Sequence, residues 1–316
     1  MIRPPCSDFW QVGLINAPIT ALLEPAGVGL PWQQRVTWLP DPGPWCYLAD
    51  PFGLRRRGVT HVFVESFDYR TKHGVIEHHE FDPNLAWRNS SVVLSRPFHL
   101  SYPFIVQDRN EVFMIPECHH SGEITLYRAR EFPSRWVRET TLLAGVPGAE
   151  ASVIKHGGLW WMFFTIVGPK ARDQRELHVA YAQSLTGPWR LHPQNPILDD
   201  RRGARPGGTP FVTRDGALLL PVQDCSRTYG GALRFLCFTT LTPDDLAFEH
   251  LAHPPLTGDL FSASHPDGCH TLSQCGDLTL VDTKRIVRSW SRYAIDLRRR
   301  AARLGFAPVT RPLAEA

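Results

Sequence analysis

Acidic residues recur at matched positions of similar segments in this chain of 316 residues. Asp50 and Glu150 each open such a segment, and Glu65 and Glu117 lie 15 residues after the openings at Asp50 and Tyr102. Cleavage of a glycosidic bond needs one protonated carboxyl group for the leaving oxygen and one ionised carboxylate on the other side of the sugar. The spacing therefore predicts glycosyl chemistry at these carboxyl groups, with Asp50, Glu117 and Glu150 as the candidate catalytic residues.

Further polar and aromatic residues near these positions are candidates for substrate binding. Arginine binds hydroxyls, carboxylates or phosphates, and aromatic rings offer flat faces to sugar rings. The candidate binding residues are Glu65, Tyr102, Arg205, Asp224, Arg227, Tyr229 and His270, and the further stacking surfaces are Trp45, Trp160 and Trp161. Because several carboxyl groups crowd together, we expect like-charge repulsion to raise some of their pKa values.

The candidate residues lie on a repeat of about fifty to sixty residues that occurs five times. Its copies start near Leu48, Leu100, Ala149, Gly207 and Asp267. Each copy reads as a small-residue entry, an apolar strand, a turn marked by Gly or charge, and a second apolar strand, which is typical of a β-hairpin. Five such units predict an all-β fold, a five-bladed β-propeller.

The register of the repeat predicts where the charged residues meet. An antiparallel hairpin brings the start of its first strand beside the end of its second, so both positions share one rim. In a propeller the first strands line the central channel. One rim should therefore collect Asp50, Glu65, Glu117, Glu150, Asp224 and His270. The equivalent openings at Tyr102 and Thr209 carry no carboxyl group.

The chain divides into three predicted parts. Residues 1–47 form a Pro-rich lead-in whose one strand, PITALLEP, closes the ring against the last blade. Residues 48–284 form the propeller, with His78 and His79 on the surface of an outer strand. Residues 285–316 contain a basic amphipathic helix and a tail. Its apolar face comprises Val287, Trp290, Ala294, Leu297, Ala301 and Leu304, and this face either packs on the propeller or contacts an anionic membrane surface.

Composition excludes several classes of function. A net charge of +3 without alternating basic and aromatic residues argues against a nucleic-acid partner. The sequence contains no run of about 18 apolar residues, so it predicts no membrane span. The N-terminus lacks the apolar core of a secretory signal, so we expect a cytoplasmic protein. Seven cysteines without CxxC spacing suit reduced thiols.

Nothing in the sequence predicts a metal or another cofactor. The segment ECHH at 117–120 contains zinc-binding residue types. Adjacent side chains on a strand point to opposite faces, so consecutive residues do not converge on one ion without a turn. We therefore expect no metal site and no cofactor.

Several motifs resemble known families. LADPF at 48–52 resembles the opening motif of the five-bladed glycoside hydrolases, including family 43, and QSLTGPWRLHPQNPIL at 183–198 is similar to a segment common in them. More closely, HLSYPFI, VFMIPE, GLWWMFFT, RPGGTPF, LPVQDCSRTYGGAL and CHTL resemble the N-terminal propeller domain of glucosamine inositolphosphorylceramide transferases and its stand-alone bacterial relatives. This resemblance spans roughly 45–285 and implies a propeller of the glycoside-hydrolase type in glycan or glycolipid metabolism.

The resemblance assigns roles to single residues. Asp50 matches the first-blade carboxylate of the hydrolases, their base or nucleophile, and Glu150 opens a later blade where those enzymes place another acid. The hydrolases use three acidic residues, so the third is predicted at Glu117 or Asp224.

Three functions remain open from the sequence. The first is an enzyme that cleaves or transfers a glycosyl unit on a saccharide or glycolipid substrate. The second is a module associated with a glycosyltransferase partner in cell-surface glycan or glycolipid synthesis, for which the basic helix would favour a membrane-proximal acceptor. The third is a non-catalytic sugar-binding propeller.

Overall fold

The computed structural model describes residues 3–24 and 31–303. Five antiparallel sheets account for nearly all of its regular structure, and each is formed around one of the five predicted hairpins. The fold is therefore a five-bladed β-propeller with one C-terminal helix, which confirms the predicted fold class.

The blades follow one another along the chain. Two N-terminal strands, β1 (Cys6–Ile15) and β2 (Val36–Trp38), precede blade 1, which contains β3 (Cys46–Arg56), β4 (Val59–Asp68), β5 (His73–Phe81) and β6 (Trp87–Leu94). Blade 2 contains β7 (Ser101–Asp108), β8 (Glu111–Glu117), β9 (Glu123–Glu131) and β10 (Arg135–Ala144). Blade 3 contains β11 (Gly148–His156), β12 (Leu159–Ile166), β13 (Glu176–Ala182), β14 (Arg190–Leu191) and β15 (Leu198–Asp199).

Blade 4 contains β16 (Arg205–Pro206), β17 (Phe211–Val212), β18 (Leu218–Asp224), β19 (Ala232–Leu241), β20 (Leu246–His250) and β21 (Leu256–Thr257), and is followed by the short helix α1 (Gly258–Phe261). Blade 5 combines β22 (Leu272–Cys275) and β23 (Leu278–Arg288) with β1 and β2. Helix α2 (Ser291–Arg303) follows it. Short 3₁₀ segments lie at Ile19–Leu23, Trp32–Gln34, His119–Ser121 and Pro169–Gln174.

Apolar side chains on both faces of the inner strands hold neighbouring blades together. The Phe52 ring of blade 1 lies 5.0 Å from Phe104 and 4.7 Å from Tyr102 of blade 2, measured between ring centroids. The same buried cluster continues into blade 3 through Met162 and Phe164. Packing on both faces explains why these strands read as continuous apolar runs, which half-exposed strands do not.

Strand β1 closes the ring. It pairs antiparallel with β23 from Cys6 opposite Arg288 to Ile15 opposite Thr279. The strand predicted at PITALLEP is wrong, because its described part is the 3₁₀ helix Ile19–Leu23 and its last residue lies outside the described residues. Its buried apolar residues are spaced by three, which fits a 3₁₀ turn and not the alternation of a strand.

The prediction that His78 and His79 lie on the surface is also wrong. Their side chains are 2% and 3% exposed. Blade 2 covers this part of blade 1, since the Phe132 ring lies 4.8 Å from His61, which in turn places Nδ1 3.0 Å from Nε2 of His78. An outer strand of a propeller blade is thus buried wherever the next blade overlaps it.

The C-terminal helix packs with the opposite face to the one expected. Strand β23 extends through Val287, so the helix begins later than predicted, and Leu304 and the tail to 316 lie outside the described residues. Arg292 of α2 is buried over the ring of Tyr69 at 4.3 Å. Trp290, Leu297 and their apolar neighbours face outward. Among the described residues, no helix has the length and apolar character needed to cross a bilayer.

Candidate functional site

The same backbone device presents three side chains to the centre of the ring. In β3, β7 and β11 the strand pairing slips near the start of the first strand, and the displaced residues Asp50, Tyr102 and Glu150 have φ values of 51°, 44° and 55°. Positive φ is unusual for residues other than glycine, and bulges commonly re-aim a side chain. All three side chains are buried. Near the start of blade 4, before its first hairpin turn, Gly208 has a positive φ of 138°.

Arg205 lies among carboxylates from two other blades. Its Nε is 3.0 Å from Oε1 of Glu150, and its Nη2 is 3.6 Å from Oε2 of Glu117. Its Nη1 is 3.2 Å from Oδ2 of Asp173, and its guanidinium lies 5.1 Å from the centre of the Tyr229 ring. Although burial acts to lower it, these negative neighbours raise the pKa of Arg205 well above its usual value. The guanidinium is therefore a fixed positive charge at the centre of the site.

Glu150 is surrounded by hydrogen-bond donors. Arg205 and the Tyr229 hydroxyl, at 3.4 Å, donate to its Oε1, and Nε2 of Gln223 donates to Oε2 at 3.0 Å. Burial outweighs the lowering effect of Arg205 and raises the pKa of Glu150 to about 8. Of these donor atoms only the Tyr229 hydroxyl oxygen can also accept, so it can receive a hydrogen bond from a proton on Glu150.

The pKa of Glu117 is shifted in the opposite direction to that of Glu150. Its Oε1 lies 2.8 Å from Nδ1 of His119, and its buried Oε2 has no hydrogen-bond partner. Burial acts to raise its pKa, but the hydrogen bond to His119 and the charge of Arg205 outweigh it and hold the pKa of Glu117 below its usual value. Two carboxyl groups beside one guanidinium thus have pKa values moved in opposite directions.

Asp50 is fixed by residues of blade 5. Its Oδ1 accepts a hydrogen bond from Oγ1 of Thr271 at 2.8 Å and lies 3.4 Å from Nε2 of His270. Nδ1 of His270 lies 2.7 Å from Oδ2 of Asp282, and Trp10 stacks on the imidazole with 3.7 Å between ring centroids. Burial acts to lower it, but the two carboxylates raise the pKa of His270 above its usual value.

Asp50, His270 and Asp282 could also hold a divalent cation. One ligand atom from each lies within 4.8 Å of the others, and carboxylate oxygen with imidazole nitrogen is a common donor set for divalent transition metals. Asp282 already accepts the backbone N–H groups of Asp50, His270 and Thr271 at 2.9 to 3.0 Å. The cluster is therefore satisfied as a hydrogen-bonded set. The sequence placed Asp50 and His270 on one rim but did not single out Asp282.

Glu65 is another buried carboxyl group, close to Asp50 and Glu117. Its buried Oε1 has no hydrogen-bond partner and lies 3.5 Å from Nε2 of His99. Gly74 donates its N–H to Nδ1 of His99, so Nε2 carries the proton of the neutral ring. Burial first, and the charges of Asp50 and Glu117 next, raise the pKa of Glu65 well above its usual value. Glu65 is thus a second carboxyl group whose neutral form is favoured by its surroundings.

Burial contributes more to these pKa shifts than the repulsion expected from the sequence. It is the largest cause of the raised pKa of Asp50, Glu65 and Glu150, and the neighbouring carboxylates add to it. Burial thus acts to raise the pKa of all these carboxyl groups, and the hydrogen bond to His119 with the charge of Arg205 brings that of Glu117 below its usual value.

The structure brings together eight of the residues selected from the sequence. They are Asp50, Glu65, Glu117, Glu150 and His270, which the repeat register placed on one rim, and Tyr102, Arg205 and Tyr229, which were candidate binding residues. The hydroxyl of Tyr102 lies 2.8 Å from Oγ of Ser152 and accepts the N–H of Gly208, so this residue links blades 2, 3 and 4.

Asp224 and Arg227 lie outside the cluster. Asp224 accepts a hydrogen bond from Nε of Arg234 at 2.9 Å. Asp224 and the exposed Arg227 both line a separate cavity of about 680 Å³. The opening at Thr209 is also displaced, since its Oγ1 accepts the N–H of Gln274. The prediction that Asp224 belongs to the rim cluster is therefore wrong.

The error arises from the hairpin of blade 4. Pairing moves from Pro206 opposite Val222 to Phe211 opposite Leu219, so five steps along the first strand correspond to three along the second. The residue with the positive φ is Gly208, one before the predicted opening at Thr209, so a count of 15 from Gly208 reaches Gln223, which takes the inward position expected of Asp224.

The aromatic candidates separate into core and cavity residues. Trp160 and Trp161 are buried between strands and offer no face to a ligand. Trp45 lines a cavity of about 410 Å³ together with Asp41, His265 and Trp10. Because Trp10 also stacks on His270, this cavity adjoins the carboxylate cluster.

Sequence reasoning missed Asp282, Gln223 and Lys284. Asp282 and Lys284 stand in VDTK, the second strand of the fifth repeat, where earlier repeats supplied Glu65. Lys284 is fully buried, with Nζ 3.1 Å from Oδ2 of Asp8 and hydrogen-bonded to the carbonyl of Tyr229. A charged residue near the end of the second strand was the available signal for both.

Comparison with known families identifies the relationship. The family described as glucosamine inositolphosphorylceramide transferase 1, N-terminal, matches residues 41–252. The chain belongs to this family. A glucosamine inositolphosphorylceramide transferase 1 of Oryza sativa subsp. indica is 36% identical over 205 residues, which are 63% of this chain and 27% of that protein. The protein of the same name from Arabidopsis thaliana is 32% identical over 259 residues, 75% of this chain and 33% of its own length. The chain thus spans about a quarter to a third of these relatives.

Solved structures share the fold of this family member. An α-L-arabinofuranosidase from Podospora anserina, solved with cellotriose, has a TM-score of 0.55 and 10% identity over 88% of this chain and 97% of that chain. A family 117 glycoside hydrolase from Zobellia galactanivorans has a TM-score of 0.52 and 12% identity over 76% and 85% of the two chains. At these identities the likeness concerns the fold alone, and it agrees with the five-bladed propeller predicted from the repeats.

Proposed function

We propose that the chain is a carbohydrate-active enzyme that cleaves or transfers a glycosyl unit at the carboxylate cluster. The observation that carries the proposal is the opposite displacement of two pKa values beside Arg205, raised for Glu150 and lowered for Glu117. Acid–base chemistry on a glycosidic bond needs one carboxyl group in each state, and environments that separate two pKa values mark the acid and the base.

Each carboxyl group receives a role from its surroundings. Glu150 is the general acid, because it holds a proton up to about pH 8. Glu117 is the ionised carboxylate, and its Oε2, which accepts no hydrogen bond, is free to act on a water or an acceptor hydroxyl. Asp50 is the second candidate for that role, since Thr271 and His270 stabilise its charge.

The raised pKa of Glu150 predicts the alkaline limb of the pH profile. Activity that needs the protonated acid falls as the pH rises through about 8, where Glu150 loses its proton. A pH–rate curve for wild-type protein measures this directly.

The decisive experiment varies the leaving group. Wild type, Glu150→Gln and Glu117→Gln are assayed on aryl glycosides with good and poor leaving groups, together with nucleotide sugars as donors. Without its acid, Glu150→Gln should lose about a hundredfold to ten-thousandfold on poor leaving groups and little on good ones, whereas Glu117→Gln should lose activity on both.

A matched control lies outside the cluster. Asp224→Asn changes an acidic residue of the next repeat that pairs with Arg234 and should keep wild-type turnover. Equal losses for Asp224→Asn and Glu150→Gln would contradict the assignment. Glycan binding without product by wild type would overturn the enzyme proposal and favour a sugar-binding propeller.

One observation favours a second candidate, a module that assists glycosyl transfer in cell-surface glycan or glycolipid synthesis. The chain matches only about a quarter to a third of relatives named as transferases, in a family described as their N-terminal part. Product that forms only when a separate glycosyltransferase and its nucleotide sugar are supplied would select this candidate.

A further inference from the structure

Helix α2 exposes an unusually apolar face. Trp290, Tyr293 and Leu297 are 56%, 61% and 67% exposed, although they are three of the largest apolar side chains in this part of the chain. With 100° between successive residues, they fall within one narrow stripe, and Ala294 and Ala301 lie on the same side. Soluble monomers rarely leave such a contiguous stripe in water without a partner for it.

The opposite face of the helix is held by polar contacts. Nη1 of Arg292 is 3.1 Å from Oγ of Ser7, and Nη1 of Arg299 donates to the carbonyl of Tyr69 at 3.2 Å. Both arginines also pair with Asp296, at 3.2 Å and 2.7 Å. The helix is therefore anchored through its charged side, so its outward apolar stripe is a consequence of specific contacts.

Arginines border the apolar stripe on both sides. Arg298 and Arg300 are exposed and lie about 80° to either side of Trp290 around the helix. Interfacial helices have this arrangement, with apolar and aromatic side chains directed into the acyl boundary and basic side chains level with the headgroups. The positive charge of these arginines favours anionic lipids. Each basic residue near the membrane surface adds a similar amount to the binding free energy.

We propose that the exposed face of α2 docks on an anionic lipid bilayer surface. The occupant is a lipid surface because the stripe is convex, aromatic and bordered by positive charge on both sides, which complements acidic headgroups above an apolar layer. The helix lies in the plane of the membrane and does not span it.

Docking would direct the carboxylate cluster toward the membrane. Helix α2 follows the end of β23 and contacts Tyr69, which follows the end of β4. The ends of these second strands form the rim that holds Glu65 and Asp282. The benefit for a membrane-anchored acceptor rests on the proposed function, but docking itself requires no glycosyl chemistry.

The test measures partition of the full chain onto vesicles by flotation. Vesicles of phosphatidylcholine alone are compared with vesicles that also contain about 30 mol % phosphatidylserine, at low and at physiological salt. Wild type should float with the anionic vesicles only, and salt should weaken its binding.

Two variants probe the two parts of the face. Leu297→Gln should lower the partition constant about tenfold through lost apolar burial. The double variant Arg298→Gln and Arg300→Gln should lower it about fivefold per arginine. Leu191→Gln is the matched control, because Leu191 is 52% exposed on β14 and should leave partition unchanged. These exposed substitutions should leave the thermal unfolding midpoint unchanged.

Three results would overturn the proposal: no flotation of wild type, equal binding to neutral and anionic vesicles, or equal loss in Leu191→Gln and Leu297→Gln. A concentration-dependent dimer in light scattering that Leu297→Gln abolishes, without vesicle binding, would assign the face to a second copy of the chain. Turnover on a small soluble glycoside is measured separately, so failure of docking and failure of the proposed enzyme activity give different results.

Discussion

His78 should make the fold sensitive to acid. Burial first, and the neighbouring His61 and His79 next, lower the pKa of His78 from 6.5 to about 3. The folded protein therefore needs the neutral ring, while the unfolded chain binds a proton below pH 6.5. Stability is present above the unfolded pKa and is lost as the pH falls from about 6.5 toward about 3.

The size of the loss follows from the two pKa values. Between pH 7.5 and pH 5 the unfolded state gains a proton that the folded state excludes, which costs about 2 kcal/mol of folding free energy. Since a domain is stable by about 5 to 15 kcal/mol, this loss is large enough to measure.

The assay is urea unfolding at pH 7.5 and pH 5 for wild type, His78→Gln and His120→Gln. Glutamine keeps a hydrogen-bonding group opposite His61 but does not titrate, so its own cost cancels between the two pH values. His78→Gln should lose about 2 kcal/mol less than wild type on acidification. His120 is exposed, and its variant should follow wild type.

The reasoning is refuted if His78→Gln and wild type lose the same free energy between the two pH values. That result would mean that the ring of His78 accepts a proton in the folded state. Protonation would then require the buried contact with His61 to open below pH 6.5. A rise in the urea m-value of wild type alone would exclude such an opening.

Three further perturbations test the ring and the site. Lys284→Met should lower stability by about 1 to 2 kcal/mol, seen in thermal unfolding, because it removes the ion pair with half-buried Asp8 and the hydrogen bond to the carbonyl of Tyr229; an unchanged midpoint would contradict the described contacts. Gly208→Ala should abolish soluble expression, because a Cβ there would lie 1.8 Å from the carbonyl oxygen of Leu272. Gly216→Ala is the control, because Gly216 also has a positive φ but its turn leaves open space for a Cβ. Thr271→Val should raise the pKa of Asp50 further by removing a hydrogen bond to its charged form. The acidic limb of the pH–rate profile should therefore move to higher pH. An unmoved limb would show that Asp50 does not control it.

Much of the propeller was predictable because each repeat carries its own local signals. Two apolar runs around a glycine or charged turn specify a hairpin, and matched openings place Asp50 and Glu150 on one rim. Tyr102 followed from the same register. Local pattern thus suffices for those parts of the site that lie on regular hairpins.

The remainder depends on contacts between distant segments. Asp224 was misplaced because the bulge of blade 4 places the opening residue at Gly208, one position before Thr209, and nothing in the local sequence indicates this shift. The face of α2 was inverted because two arginines have partners on Tyr69 and Ser7, and hydrophobic periodicity alone favours the apolar side. The protonation states of Glu117 and Glu150 depend on Arg205, which belongs to another blade.

The pairing of β1 with β23 makes the two ends of the chain part of one sheet. Trp10 of β1 covers His270, and the contacts of Asp50 with Asp282 join blade 1 to blade 5. Loop-closure entropy opposes contacts this distant in sequence until the intervening blades have compacted. Completion of the carboxylate cluster is thus a late folding event, and a nascent or nicked chain with the first strand detached holds four formed blades without an assembled centre.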